Sequence, residues 1–204
     1  MAFHFYEPAK GHGLPHDPFK SIIAPRPIGW VSSVDAQGQR NLAPYSFFNA
    51  ISADPPMLAF SSYGYKDSVR NIEATGEFVW NLASRNLAAA MNQTSASVAA
   101  EIDEFELAGL TPVAGAVVAA PRVAEASVAF ECRLSQVVRL RTAAGGQTNN
   151  WLTIGEVVGV HIDERLLVDG IFDTVAAAPI MRAGGPADYF GIDSDDRFQM
   201  KRPG

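Results

Sequence analysis

Residues 126–162, ASVAFECRLSQVVRLRTAAGGQTNNWLTIGEVVGVHI, decide the fold. Residues 126–141 alternate apolar and polar side chains, as a strand with one buried face does, and residues 151–162 do so again. Between them, Gly145-Gly146-Gln147-Thr148-Asn149-Asn150 is a cluster of turn formers. Together they predict a long antiparallel hairpin. Upstream, residues 28–34 (IGWVSSV) are strand-like and run into the turn residues Asp35-Ala36-Gln37-Gly38-Gln39, before the chain resumes at Asn41. Residues 57–61 (MLAFS) and 77–82 (EFVWNL) are shorter strands, introduced by Asp54-Pro55-Pro56 and Thr75-Gly76.

Helices are expected at three places. Residues 68–74 make two turns, with Asp67 at the N-cap position and Val69 and Ile72 on one face. Residues 85–100 are rich in Ala and Leu, and residues 101–110 are acidic and end at Gly109. Strands joined mainly by turns predict a mainly β fold with inserted helices, its antiparallel sheet closed into a barrel. No regular βαβ alternation and no GxGxxG fingerprint occurs, which disfavours a Rossmann fold.

The 204 residues are 48% hydrophobic and 19% charged, enough for one domain over 1–204. Residues 1–17 read as an N-terminal arm rich in Pro, Gly and His, and 191–204 as a C-terminal tail. The net charge of −6 disfavours a nucleic-acid partner while leaving room for a local basic pocket. Cys132 is the single cysteine, so no internal disulfide forms. The N-terminus has no signal-peptide pattern, and the apolar run 114–120 is too short to span a membrane. A cytoplasmic protein without a membrane partner is expected. His4, His12, His16 and His161 show no metal-binding spacing, and no metal is expected.

Three stretches carry candidate chemistry. In SSYGYKDSVRNI (61–72), a strand end and a helix start bring unpaired N–H groups, the hydroxyls of Ser61, Ser62 and Ser68, and Lys66 together. That combination suits a phosphate monoester; the alternative is ordinary strand-to-helix punctuation. In APRPIGWVSS (24–33), two prolines stiffen the chain around Arg26, and Gly29 permits close approach of something flat or bulky. Arg26 either bonds an anion or stands on an edge strand. In NLAPYSFFNAIS (41–52), alternation puts Tyr45, Phe47 and Asn49 on one side and Ser46 and Phe48 on the other. There Ser46 or Asn49 could bond a heterocycle edge, or the aromatics could simply be core. Arg182, in PIMRAGG (179–185), either reaches an anion or a ring edge or is paired at the barrel rim.

Taken together, PRPIGWVSS (25–33), NLAPYSFFNAISADPP (41–56), SSYGYKDSVRNI (61–72) and EFVWNL (77–82) resemble the flavin reductase-like family, whose fold is an FMN-binding split β-barrel. EFELAGLTP (104–112), ECRL (131–134), IGEVVGVHI (154–162) and PIMRAGG with Tyr189 extend the match in the family's order over roughly residues 18–190. The resemblance implies that Arg26, Pro27, Ile28, Gly29 and Ser32 line a flavin. It further implies that Ser46 and Asn49 abut the isoalloxazine, with Arg182 as a further candidate, and that Ser61, Ser62, Lys66 and Ser68 hold the phosphate. It implies FMN as cofactor, NADH or NADPH as co-substrate, a homodimer, and a monooxygenase that uses the reduced flavin as a further partner. His161 and Tyr189 are candidates for the nicotinamide side. The expected activity is an NAD(P)H-dependent flavin reductase; the alternative is an FMN-binding electron carrier or flavin store without nicotinamide activity. The Ala- and Ser-rich segment 83–100 has no assigned role.

Overall fold

The computed structural model describes residues 1–203. At its centre, seven strands form one antiparallel sheet: β1 (Gly29–Val34), β2 (Arg40–Tyr45), β3 (Phe48–Ala53), β4 (Pro56–Tyr63), β5 (Glu77–Asn81), β6 (Val128–Arg141) and β7 (Gln147–Ile162). Their order across the sheet is β2-β1-β5-β6-β7-β4-β3. The two edge strands, β2 and β3, are separated in sequence by Ser46 and Phe47 alone. So short a link draws the edges together at one corner, while no ladder closes the seam; the sheet is a split barrel.

The hairpin β6–β7 is the longest ladder, running from Val128 opposite Ile162 to Arg141 opposite Gln147. Its turn, Thr142 to Gly145, places Gly145 at φ 85°, a conformation glycine adopts without strain. Three register shifts let the ladder bend around the barrel. One lies beside Gly155, where a β-carbon would stand 2.3 Å from the ring of the buried Phe78.

Helix α1 (Asp67–Thr75) packs Val69 and Ile72 into the barrel among Val31, Phe60, Phe78 and Cys132. Helices α2 (Ala88–Gln93) and α3 (Glu104–Ala108) lie outside the barrel and cover Trp30 and Leu42 with their own Met91 and Phe105. β1 is therefore buried on both faces, Val31 inward and Trp30 toward the helices, and its first five residues are all buried. Trp30 Nε1 donates to Thr94 Oγ1 at 3.0 Å, tying the strand to the end of α2. Glu104 of α3 accepts from the Leu42 N–H at 3.0 Å, satisfying a donor on the edge strand β2.

Several local expectations shift. Asp67 is not the cap of α1: Lys66 holds the cap position with no side-chain capping bond, and Asp67, one residue inside, pairs with Arg70. Segment 85–100 is helical only to Gln93, because the Thr94 hydroxyl turns back to the Met91 carbonyl while accepting from Trp30. The bend at Ser46-Phe47 breaks the alternation expected over 45–49, so Tyr45 is buried while Phe47 and Asn49 are exposed. The flat body packed against Gly29 is the protein's own Phe48 ring, 2.7 Å from where a β-carbon would sit. No helix among the described residues is long and apolar enough to cross a membrane.

Gly155→Ala is expected to lower stability by about 1–3 kcal/mol, the range for overpacking a filled core. Urea denaturation checks this; an unchanged midpoint would show that Phe78 yields without cost.

Candidate functional site

The candidate site begins at the N-terminus of α1. Among the described residues no acceptor bonds the N–H groups of Asp67, Ser68 and Val69; the first helical bond is Arg70 N–H to Lys66 C=O. These amides meet a cavity of about 290 Å³ lined by Lys66, Ser68, Tyr45, Asn41 and Ser95. Lys66 is exposed and forms no ion pair among the described residues. Ser68 is buried, and its Oγ accepts from Asn41 Nδ2 at 2.8 Å. Asp67, a further lining residue, is held by Arg70. Glu104, also on the wall, is pushed toward its protonated form by burial, against the pull of the Leu42 N–H. The cavity presents many donors and few competing anions.

A second cavity of about 620 Å³ lies alongside it, in the size range of small-molecule pockets. Ile28, Ser46, Met91, Arg182 and Tyr189 line it, and Pro44 and Ser95 line both cavities. Side by side along β2, the two form the candidate trough, with Lys66 and the α1 amides at one end and Ile28, Met91, Arg182 and Tyr189 at the other. Its far wall is the segment 85–95, through Arg85, Ala88, Asn92 and Ser95. Arg182 stacks on Tyr189, 5.0 Å from the ring centroid, and donates to the carbonyls of Asp188, Gly185 and Pro186.

The structure thus gathers Lys66 and Ser68 at one end and Ile28, Ser46, Arg182 and Tyr189 at the other. The remaining expected residues lie elsewhere. Arg26 is buried and donates to the carbonyls of Ser46, Lys20, Ile23 and Ala183, so four of its five N–H groups serve the fold. Pro27 pairs with Met181 beside it. Ser32 is fully buried, donates to the Pro121 carbonyl and lines neither cavity. Ser62 is buried beneath the α1 cavity and donates to Gly64 C=O at 3.0 Å, while the Ser61 N–H pairs with Phe47 C=O. Asn49 is exposed on the edge strand β3, its side chain accepting from the Ala50 N–H.

Whether a flavin phosphate suits the α1 end can be tested on the protein's own unpaired atoms. The Tyr45 side chain is only 9% exposed, and its hydroxyl is buried with no hydrogen-bond partner. It lies beside the Ser68 and Ser62 hydroxyls, and burial raises its pKa. Free amides, a lysine and the Ser68 hydroxyl, backed by the unpaired Tyr45 hydroxyl, are the donor set that suits a phosphate dianion.

Residues 22–174 match the family described as the flavin reductase like domain. The chain belongs to the flavin reductase-like family. An uncharacterized protein of Aquifex aeolicus is 36% identical over 170 residues, covering 80% of this chain and 83% of that one. The crystal structure of nitrilotriacetate monooxygenase component B from Bacillus cereus superposes with a TM-score of 0.87 at 33% identity, covering 98% of this chain and all of the other. The flavoredoxin of Desulfovibrio vulgaris (Miyazaki F) gives 0.75 at 26% identity, covering 87% and 90%.

In this flavin reductase-like chain His161 occupies a separate cleft, of about 950 Å³, lined also by Arg85, Arg122, Ser127 and Arg165. Arg85 lines both this cleft and the trough. His161 Nε2 is 2.5 Å from Glu131 Oε1. Glu131 is fully buried, which alone would raise its pKa. The bond to His161 and the N–H groups of Ala116, Val117 and Val118 outweigh burial and hold it at about 2. A ring nitrogen bound to a fixed carboxylate fixes the imidazole's orientation.

Two parts of the site went unread in the sequence, the segment 85–95 and the Tyr45 hydroxyl. The first carried a faint signal, since Asn92 in the last turn of an alanine-rich helix, and Thr94 and Ser95 just beyond it, are polar.

Because the Glu131 carboxyl titrates near 2 in the fold and near 4.5 when free, the unfolded chain binds more protons between those values. Its contribution, about 3 kcal/mol, is complete above about pH 4.5 and is lost as pH falls toward 2. Glu131→Gln is expected to lower stability at neutral pH and flatten the acid limb; identical pH dependence of the urea midpoint in both proteins would refute it.

Proposed function

We propose that this protein binds FMN in the trough along β2 and acts as an NAD(P)H-dependent flavin reductase. The observation that carries this reading is the donor-rich cavity at the start of α1 lying beside a larger cavity with which it shares Pro44 and Ser95, in a chain of the flavin reductase-like family. Lys66, Ser68 and the first amides of α1 would hold the phosphate, with Ile28, Ser46, Met91 and Tyr189 around the ring. FMN, when bound there, would supply the hydride-accepting, two-electron chemistry that links a nicotinamide donor to an acceptor. The protein's share is to hold the two rings in register and offer positive charge to the reduced, anionic ring. Arg182 and Arg85 are placed for that second task.

The nicotinamide would approach from the Arg85 side, with His161 oriented by Glu131 as the candidate residue there and Tyr189 at the ring itself. The likeness to a monooxygenase component B supports a role in supplying reduced flavin to a separate oxygenase. The likeness to a flavoredoxin favours a second reading, an electron carrier reduced by another protein. A homodimer is part of the proposal, supported by exposed apolar side chains on β7 (Val158, Val160, Ile162) and on or beside β3 (Phe47, Ile51). So are a single domain and a cytoplasmic location, consistent with a single cysteine left unpaired.

The purified protein is expected to show flavin absorption bands and to be bleached by NADH or NADPH in anaerobic titration. Flavin bands that respond to dithionite but to neither nicotinamide would replace the reductase by the carrier. Lys66→Ala is expected to weaken FMN binding by about 1.5–3 kcal/mol, the value of a charge-assisted bond; unchanged affinity in a fluorescence titration would place the phosphate elsewhere.

A further inference from the structure

Ser68 is the one hydroxyl that lines the α1 cavity on the helix itself, and the direction of its proton depends on what its oxygen already accepts. Asn41 Nδ2 occupies one lone pair at 2.8 Å. The Ser62 proton is committed to the Gly64 carbonyl, so Ser62 is free to accept and not to donate. Between these two serines stands the Tyr45 hydroxyl, buried, unpartnered, and anchored from behind by its ring, whose centroid lies 4.5 Å from that of Phe60. Within this group the Tyr45 and Ser68 protons have no acceptor assigned to them, and the phenol has the Ser68 and Ser62 oxygens beside it. A phenol donating to Ser68 Oγ fills the second lone pair, and the serine then has only its proton to offer. That proton faces the cavity beside Lys66 and the free amides of Asp67 to Val69.

We infer that Tyr45, with Asn41, is a positioning residue that aims the Ser68 hydroxyl proton at a phosphate in this cavity, and so sets the preference for a phosphorylated flavin over riboflavin. The inference rests on the trough being the flavin site. Tyr45 does not touch the phosphate; its hydroxyl is sealed from the cavity surface and acts through Ser68. With no anion present the same three hydroxyls can close on themselves, Ser68 donating to Tyr45, Tyr45 to Ser62 and Ser62 to Gly64. Binding therefore reverses one hydrogen bond without moving the backbone. Hydrogen bonds in such a chain strengthen one another, so the phenol's effect should exceed that of a passive wall.

Tyr45→Phe keeps the ring and removes only the hydroxyl. That hydroxyl has only the Ser62 and Ser68 oxygens beside it in the unliganded protein, so the fold is expected to be kept with at most a small loss of thermal stability. FMN and riboflavin dissociation constants are then measured by fluorescence quenching for the wild type, Tyr45→Phe, Ser68→Ala and the double variant. The expected result is FMN binding weakened about 3- to 10-fold by Tyr45→Phe, riboflavin binding unaltered, and no added loss when Tyr45→Phe is placed on Ser68→Ala. A Tyr45→Phe protein that keeps the wild-type preference for FMN overturns the inference alone. So does an equal loss for both flavins, or a full loss on the Ser68→Ala background. A wild type that binds riboflavin as tightly as FMN overturns the phosphate reading, and this inference with it.

Discussion

The ladder between β6 and β7 is the constraint on which the rest depends. A hairpin of 14 and 16 residues is too long to remain flat, and its three register shifts turn accumulated twist into curvature. Once β6 and β7 curve, β5 and β1 must follow on one flank and β4 and β3 on the other. The two-residue link Ser46-Phe47 then brings the free edges to one corner. The trough begins at that corner because β2 has no ladder partner on its outer side; helices and the segment 85–95 cover it instead. Glu131 takes the same constraint further. It sits on the curved strand and collects three backbone amides from the loop 116–118, fastening the outside loop to the barrel wall.

Much of this was legible in the residues. The long hairpin, the strands at 29–34 and 77–81, and the helix after SSYGYKD follow from alternation, turn residues and a short amphipathic repeat. Local pattern failed where a side chain answers to something distant. Gly29 reads as an opening for a ligand until Phe48, brought over by the corner, fills it. Ser32 reads as a site serine until β1 proves to be covered on both faces. Arg26 reads as an anion ligand until three separate segments bring their carbonyls to it. In each case the residue type was informative, since a glycine, a serine and an arginine all mark unusual surroundings. What surrounds them is decided by tertiary folding, which single-strand periodicity does not carry.

The site divides in the same way. Lys66 and Ser68 were readable because a helix start with a lysine is a local arrangement. The far wall of the candidate trough was not, because Arg85, Asn92 and Ser95 are spread through an alanine-rich stretch and form no local motif; they face one cavity only once that stretch packs beside β2. Tyr45 was readable only as an aromatic. Its hydroxyl gains meaning from Ser62 and Ser68, which approach it only once β4 and α1 are in place.

Cys132 lies at 0% exposure in the barrel, and burial pushes its thiol up to about 12. The thiolate is the form that oxidants attack, and at neutral pH essentially none exists here. Reduced flavin left in air yields peroxide, so a protein that handles it works in its own oxidising surroundings. With its one sulfhydryl protonated and enclosed, this barrel offers such oxidants no thiolate.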